Sequence, residues 1–358
     1  MKIGKHKGLE YMDYNGIRYS RYSDKCEGHA RGEMSIHAGR SRRQVKDYPH
    51  IFRVFRLREG VERFFRNGSF YAEEKIDGYN VRIIKFKENL LAVTRGGLIC
   101  PFTTEWIEFW RGRYSFDEFF AMYPGTALCA EFLGDNPYNS KRDTSLPPGL
   151  SFFCFDIMKP DGSFLPVEER YSVTAKLGLP CVKSFGRFTA ADMGRLREIM
   201  LDLNSTGREG LVMKKPGSDG AIKFVTAASD LADLEQFLVF FYDIEPGFYS
   251  NRLMRVSLFV QEFGLDEAEY IKRTGAAVIK GYGALKNYEG SFEDFTVYMH
   301  SVETWNSLKK LILKHVDVVS EEPHPETING VQLYKVSFRR SHKKSTLRYR
   351  EIISGQKE

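Results

Sequence analysis

Long apolar runs, paired cysteines and histidine clusters are all missing from this 358-residue sequence. No apolar run approaches the about 20 residues that cross a bilayer, so a membrane span is not expected. The five cysteines (Cys26, Cys100, Cys129, Cys154, Cys181) are odd in number and form no Cys-x-x-Cys pair. That argues against a disulfide framework or a zinc site, and they read as buried, reduced thiols. The eight histidines show no His-x-x-x-His pair and no cysteine at ligand spacing, so a structural metal is not expected. A Gly-x-x-x-x-Gly-Lys-Ser/Thr loop is missing too, which excludes a phosphate cradle of that kind. There are no internal repeats or low-complexity segments. The N-terminal Met1-Lys2-Ile3-Gly4-Lys5-His6-Lys7 leads into no continuous apolar segment of the kind a secretory signal needs, so a cytoplasmic location is expected.

What is present is a globular composition: 42% apolar and 28% charged residues, with a net charge of +6. This length is too great for one ordinary core, and about two to four structural units are expected. The positive charge is uneven. Arg339, Arg340, Lys343, Lys344, Arg348 and Arg350 cluster near the C-terminus, and Arg40-Ser41-Arg42-Arg43 forms a second run. Both suit a nucleic-acid backbone, with nearby Tyr and Phe able to stack on unpaired bases, and both suit a solvated charged face equally well.

The residue pattern divides the chain. A small basic module is expected over 1–68, with strand-like residues around Gly16 to Tyr22 and a short helix near Glu59 to Phe65. From Ser69 the texture turns to strands. Tyr79 to Phe86 and Leu90 to Thr94 read as a hairpin, with further strands at Ala127 to Leu133, Ser151 to Ile157, Gly210 to Lys214 and Ala221 to Val225. Helices are expected near Thr104 to Tyr123, Val167 to Leu177 and Ala191 to Leu203, and a mostly helical stretch from Ala228 to about Leu313. Val331 to Phe338 alternates at period two. This is an α+β pattern rather than a regular βαβ alternation. The expected units are 1–68, 69–245, 246–316 and 317–358.

The chemistry-bearing signal begins at Glu73-Glu74-Lys75-Ile76-Asp77-Gly78-Tyr79-Asn80. Alone, Lys-x-Asp-Gly fits a solvated hairpin turn. Five further segments follow in order: Thr94-Arg95-Gly96-Gly97, Ala130-Glu131-Phe132-Leu133-Gly134, Phe155-Asp156-Ile157, Glu209-Gly210-Leu211-Val212-Met213-Lys214 and Ile222-Lys223-Phe224. Together they resemble the covalent nucleotidyltransferase superfamily of ATP-dependent DNA ligases, RNA ligases and capping enzymes, with matches from Glu73 to Lys223. Asn80, five places after the lysine, is more similar to RNA ligases. Length, N-terminal module and later helical segment resemble the archaeal homodimeric RNA ligases.

The resemblance implies a nucleotidyltransferase, ATP-grasp-like ligase domain of twisted antiparallel sheets, with a small N-terminal module and a helical C-terminal module. It implies ATP and Mg²⁺ or Mn²⁺ as cofactors, RNA with 5′-phosphate and 3′-hydroxyl ends as substrate, and a homodimer; single-stranded DNA stays open as a further substrate. Lys75 would be the nucleophile that takes AMP. Such a lysine must be unprotonated, and desolvation with a nearby metal and basic groups such as Lys214 or Lys223 would depress its pKa. Glu73 would meet the adenine amino edge, and Phe155 and Val212 would hold the ring between them. Arg95 and Glu131 would contact the ribose, and Arg95 also an acceptor phosphate. Asn80 would support phosphate or ribose contacts. Glu209 would hold the metal, since hard cations prefer carboxylate oxygen. Lys214 and Lys223 would neutralise phosphates, although the Lys-x-Lys pair common in relatives is reduced here to Ala221-Ile222-Lys223, which leaves the share among Lys214, Lys215 and Lys223 open. A DNA ligase, a capping-type guanylyltransferase and a non-catalytic RNA-binding protein are the alternatives. Against the first, a helical segment stands where an OB-fold would follow the last lysine motif.

Overall fold

The computed structural model describes residues 8–26, 28–39, 41–66, 68–140, 148–217, 220–313 and 318–356. The chain opens with an antiparallel sheet of β1 (Leu9–Tyr14), β2 (Ile17–Tyr22), β3 (Met34–Ala38) and β4 (Ser41–Val45), followed by a two-residue strand β5 (Phe52–Arg53) and helix α1 (Leu57–Phe65). The central part follows as β6 (Phe70–Lys75), β7 (Tyr79–Phe86), β8 (Asn89–Thr94), α2 (Pro101–Trp110), α3 (Phe116–Met122), β9 (Ala127–Gly134), β10 (Leu150–Met158), α4 (Val167–Lys176), β11 (Ser184–Phe188), α5 (Met193–Ser205), β12 (Gly210–Lys214) and β13 (Ala221–Val225). Three helices come next: α6 (Ala227–Phe237), α7 (Pro246–Phe263) and α8 (Glu267–Gly281). The chain ends with β14 (Phe292–Met299), α9 (Val302–Ile312), β15 (Val318–Ser320), β16 (His324–Ile328), β17 (Val331–Ser341) and α10 (Lys343–Ile353). No helix among the described residues is long and apolar enough to cross a membrane.

Two sheets build the centre. One runs β10-β9-β7-β8, the other β11-β6-β12-β13-β5, antiparallel except where β13 meets β5. Their sequences explain their burial. In β7, Val81 and Ile83 join one core with Phe102, Phe116, Phe119 and Phe132, while Ile84 and Phe86 join another with Tyr19, Met34, Ile36 and Val45 of the N-terminal sheet. A strand buried on both faces reads as a continuous apolar run, as Val81 to Ile84 does apart from Arg82. Each fully buried phenylalanine contributes roughly 1.5–3 kcal/mol through the water it leaves. A third core packs the outer face of the β6-β12-β13 sheet, through Ala72, Leu211, Met213, Ile222 and Phe224, against α1, α5, α6, α7 and α8.

Two arginines stitch the N-terminal sheet to the centre by meeting backbone carbonyls instead of carboxylates. Buried Arg82 donates to the carbonyls of Lys46, Gly32 and Thr94, the last at 2.7 Å. Arg43 donates to those of Lys85, Gly125 and Thr126. Arg43 is therefore spent on the fold and is not a free nucleic-acid contact, while Arg40 lies outside the described residues. The C-terminal basic run is also largely paired: Arg339 with Asp294, and Arg340 and His342 with Glu293.

The expected hairpin, the strands at Gly210–Lys214 and Ala221–Val225, and helix α1 are present. The helix expected over Thr104 to Tyr123 is two, α2 and α3, parted near Gly112. The stretch expected to be mostly helical up to Leu313 contains β14, whose partner β17 arrives about forty residues later by chain position. Its alternating Phe295, Val297 and Met299 are buried only because β17 and α9 cover them. Helix α10 was not expected from the alternating tail.

Candidate active site

Between the two central sheets lies a cleft of about 490 Å³, closed on one side by Tyr48 and Ile51 of the N-terminal module. Glu73, Lys75, Asn80, Arg95, Glu131, Phe155, Val212, Lys214 and Lys223 all line it. Register explains this convergence. On one sheet, β6 and β12 pair Lys75 with Gly210 and Glu73 with Val212, and β13 sets Lys223 opposite Val212. On the other, Asn80 pairs with Glu131. Side chains alternate along a strand, so these period-two positions share a face.

Glycines permit the close packing behind the lysine. A Cβ on Gly78 would lie 2.2 Å from the Phe132 carbonyl oxygen, and one on Gly210 (φ +152°) 2.1 Å from that of Phe224. Only a residue without a side chain fits at such approaches.

At the floor of the cleft Lys75 Nζ donates to Glu209 Oε2 at 2.6 Å. Burial disfavours the ammonium, but Glu209, Glu131 and Asp77 outweigh it and hold the lysine pKa above its ordinary value. Without a metal, the groups that dominate around Lys75 are acidic and outweigh burial and the nearby Lys223; the expected depression required a bound cation as well as desolvation and the basic groups. The same crowding raises the carboxyls. Burial, opposed by Lys75 but aided by Glu209 and Asp77, pushes Glu131 up to about 7, and burial likewise raises Glu209. Such carboxylates have too little positive charge nearby to be comfortable as anions. Among the described residues no three carboxylate, histidine or cysteine side chains converge closely enough to cage a metal by themselves. A small hard cation held by one or two carboxylates, with phosphate oxygens and water completing its shell, fits this donor set.

The opposite end of the cleft is built around Glu73. Arg170 and Tyr171, both missed in the sequence reading, donate to its Oε1, the tyrosine at 2.6 Å. Lys214 Nζ stands 2.9 Å from its Oε2, an atom that is buried with no partner in hydrogen-bond geometry. Burial alone would raise this carboxyl, but Lys214 and Arg170 bring it below its ordinary value, so it stays ionised. Asn80 Oδ1 is a second buried acceptor without a partner. An unpartnered buried acceptor, Asn80 Oδ1, beside a Glu73 oxygen that Lys214 meets only as an ion pair, leaves acceptor capacity in the cleft for a ligand with donor groups.

Alternation along β10 sets Phe153 and Phe155 on the face opposite the buried Phe152 and Cys154, and Phe155 lines the cleft with its ring edge-on to Tyr48 at 5.3 Å. A β-bulge between Cys154 and Asp156, where the register of β10 against β9 shifts, then brings Asp156 to that same face as well. Tyr48 in turn donates to Asp156 Oδ2 at 2.6 Å.

The three lysines of uncertain share separate cleanly. Lys214 is buried and donates to the Phe155 carbonyl at 2.7 Å and to Asp156 Oδ1 at 2.9 Å, so its contacts favour a structural anchor for Glu73 over a phosphate ligand. Lys215 lies over the Phe64 ring on the other face of the sheet. Lys223 stays in the cleft, and burial with the nearby Lys75, Arg53 and Arg95 lowers its pKa to about 8.

Residues 68–225 match the RNA ligase family model. A structure titled putative ATP-dependent DNA ligase from Aquifex aeolicus is similar over 98% of this chain and 97% of its own, with 30% identity and a TM-score of 0.89. A structure titled archaeal ATP-dependent RNA ligase is similar over 98% of this chain and 94% of its own, with 25% identity and a TM-score of 0.85. In sequence the chain is 28% identical to the uncharacterized protein MJ0414 of Methanocaldococcus jannaschii over 351 residues, 94% of this chain and 87% of that one. The chain belongs to the RNA ligase family, with the architecture of the archaeal ATP-dependent RNA ligases along nearly its whole length.

Proposed function

We infer that the enzyme is an ATP-dependent RNA ligase that joins 5′-phosphate to 3′-hydroxyl ends through AMP carried on Lys75. One observation carries this: Lys75 lies paired with Glu209 at the floor of a cleft whose walls supply an aromatic ring, an aliphatic face and two buried acceptors. Adenine fits between Phe155 and Val212, with its amino group toward Glu73 Oε2; Asn80, Arg95 and Glu131 face the ribose side, and Lys223 the phosphates. Lys75 gives up its ammonium proton to water, its Nζ attacks the α-phosphorus, and the nitrogen sheds a second proton to water as the P–N bond forms. The bond to the bridging oxygen of the β-phosphate breaks, pyrophosphate leaves, and a phosphoramidate remains. A divalent cation held by Glu209 and Glu131 would neutralise the carboxylates that keep Lys75 protonated and draw charge from the α-phosphate. AMP then passes to a 5′-phosphate, and a 3′-hydroxyl displaces it, steps that depend on positioning and charge neutralisation.

The Aquifex structure is titled a DNA ligase, so 5′-phosphorylated DNA is the competing substrate. Helices α6 to α8, following β13 directly, favour RNA by the same contrast with OB-fold DNA ligases. A second copy of this chain is the inferred partner, because α8 exposes Ile271 (72%) and Ile279 (75%) on either side of Gly275 at four-residue spacing. The cytoplasm is the inferred compartment, where ATP and RNA ends occur together.

Incubation with α-labelled ATP or GTP should label the protein from ATP alone, with Lys75→Ala unlabelled, and 5′-phosphorylated RNA should be sealed faster than the equivalent DNA. Labelling of the alanine variant would remove Lys75 as nucleophile, and GTP-only labelling would make the enzyme a capping-type transferase.

A further inference from the structure

The cleft face of the second sheet carries a row of side chains at right angles to its strands. Register places Glu73 beside Val212, Val212 beside Lys223, and Lys223 beside Arg53 of β5. Adjacent strands lie about 4.8 Å apart, so Arg53 stands about 10 Å from Val212, one strand beyond Lys223. Its flanking residues Phe52 and Val54 line the opposite face, around Phe64 and Ile222, and alternation therefore turns Arg53 toward the cleft side.

Arg53 has the environment of an anion-binding group. Its Nε is buried without a hydrogen-bond partner, and it forms no ion pair with a described residue. The nearby Asp230 is taken by Arg255 at 2.8 Å, and Asp233 by Arg252 at 2.7 Å. Lys223, its neighbour in the row, likewise has no ion-pair partner among the described residues. β13 offers no other cation to this face, since Ala221 and Val225 occupy the alternating positions. Two adjacent cations left unpaired, Lys223 lining the cleft and Arg53 one strand beyond its lining, repel each other and cost stability unless an anion joins them. Burial first, then Lys75, Arg53 and Arg95, lower Lys223, and Lys223, Arg95 and Arg53 add to burial in lowering His50.

We propose that Arg53, brought into the catalytic sheet by the two-residue parallel strand β5, binds the pyrophosphate leaving group of ATP together with Lys223. The proposal rests on the ligase reading above. Arg53 lies on the far side of Lys223 from the base-binding Val212, where the terminal phosphates of a nucleotide extend. A guanidinium fork meets two phosphate oxygens at once, which a lysine does not. The N-terminal module thereby contributes to the first chemical step and not only to the fold. A 5′-phosphate of RNA is the other source of the same anion chemistry, and the arms of the experiment separate them.

The test compares wild type, Arg53→Met and Arg53→Lys in three assays: lysine labelling from ATP, release of ATP from the isolated AMP-enzyme by added pyrophosphate, and sealing of RNA already carrying a 5′-adenylate. Arg53→Met is expected to raise the KM for pyrophosphate and slow labelling at low ATP by about 10- to 100-fold, the range for losing charged hydrogen bonds. Sealing of pre-adenylated RNA should stay within about twofold of wild type, and Arg53→Lys should fall between, since it keeps the charge and loses the fork. Wild-type pyrophosphate kinetics in Arg53→Met would overturn the proposal. So would equal losses in all three assays, which would mark an RNA-end or purely structural role. Failure of wild type to take label from ATP would instead overturn the ligase reading itself.

Discussion

Around Lys75 buried carboxylates hold the lysine in its charged form, and they carry the strain of burial themselves. Glu131 shows this most directly, because its carboxyl is pushed up to about 7 by burial and by Glu209 and Asp77, despite Lys75. Folded, it keeps its proton up to about pH 7; unfolded, it loses it near 4.5. Between those values the folded state binds more protons, so stability falls as pH rises through that window. Glu131→Gln removes the penalty. In chelator, the variant should be more stable than wild type above pH 7 by about 1–3 kcal/mol, and the difference should vanish near pH 4.5. Thermal melts across pH check this, and lysine labelling should fall at least about tenfold in the same variant. Equal melting at pH 8 would mean that Glu131 is not strained in the metal-free enzyme. Glu73 is the contrast: it is as deeply buried, but Lys214, Arg170 and Tyr171 keep it ionised.

At the scale of elements, the site depends on how β6, β12 and β13 approach one another. Gly210 sits directly beside Lys75 in register, with a backbone angle (φ +152°) that disfavours a side chain and a carbonyl 2.1 Å from where a Cβ would stand. Gly210→Ala is therefore expected to push β12 from β13, lower stability by about 2–4 kcal/mol and reduce lysine labelling more than 100-fold, an order-of-magnitude expectation from strain and misplacement. Gly194→Ala is the control: it lies in α5 with nothing within 4 Å, and should leave labelling unchanged while stabilising by about 0.5–1 kcal/mol. Melting curves and labelling rates of the two variants decide it. The ordered motifs revealed Lys75, Glu209 and Lys223 because each sits on a strand whose local pattern is complete. The same local pattern hid Phe155's bulge, since a register shift against β9 is a relation between strands 20 or so residues apart.

At the scale of the molecule, three cores bind the modules to one another: the N-terminal sheet to β7-β8-β9, the helices α1 and α5 to α8 to the second sheet, and the C-terminal sheet to α2 and the first. The outer face of α8 takes no part in them. Ile271→Asp with Ile279→Asp should convert a dimer to a monomer by light scattering, with labelling retained, because neither side chain lines the cleft. A wild-type monomer, or a doubly substituted dimer, would place the self-association elsewhere. The sequence by itself determined the α+β class, most strands of the two central sheets and the order of the motifs that single out Lys75, because those follow from residue order and short-range periodicity. Tertiary structure alone decided the acidic surroundings of Lys75, the contacts of Lys214 with Glu73 and Asp156, the arrival of Arg170, Tyr171 and Arg53, and the pairing of β14 with β17. Those depend on which distant groups share a small volume of low polarity, where the sign of a neighbour's charge and the strand on which it stands matter more than its place in the chain.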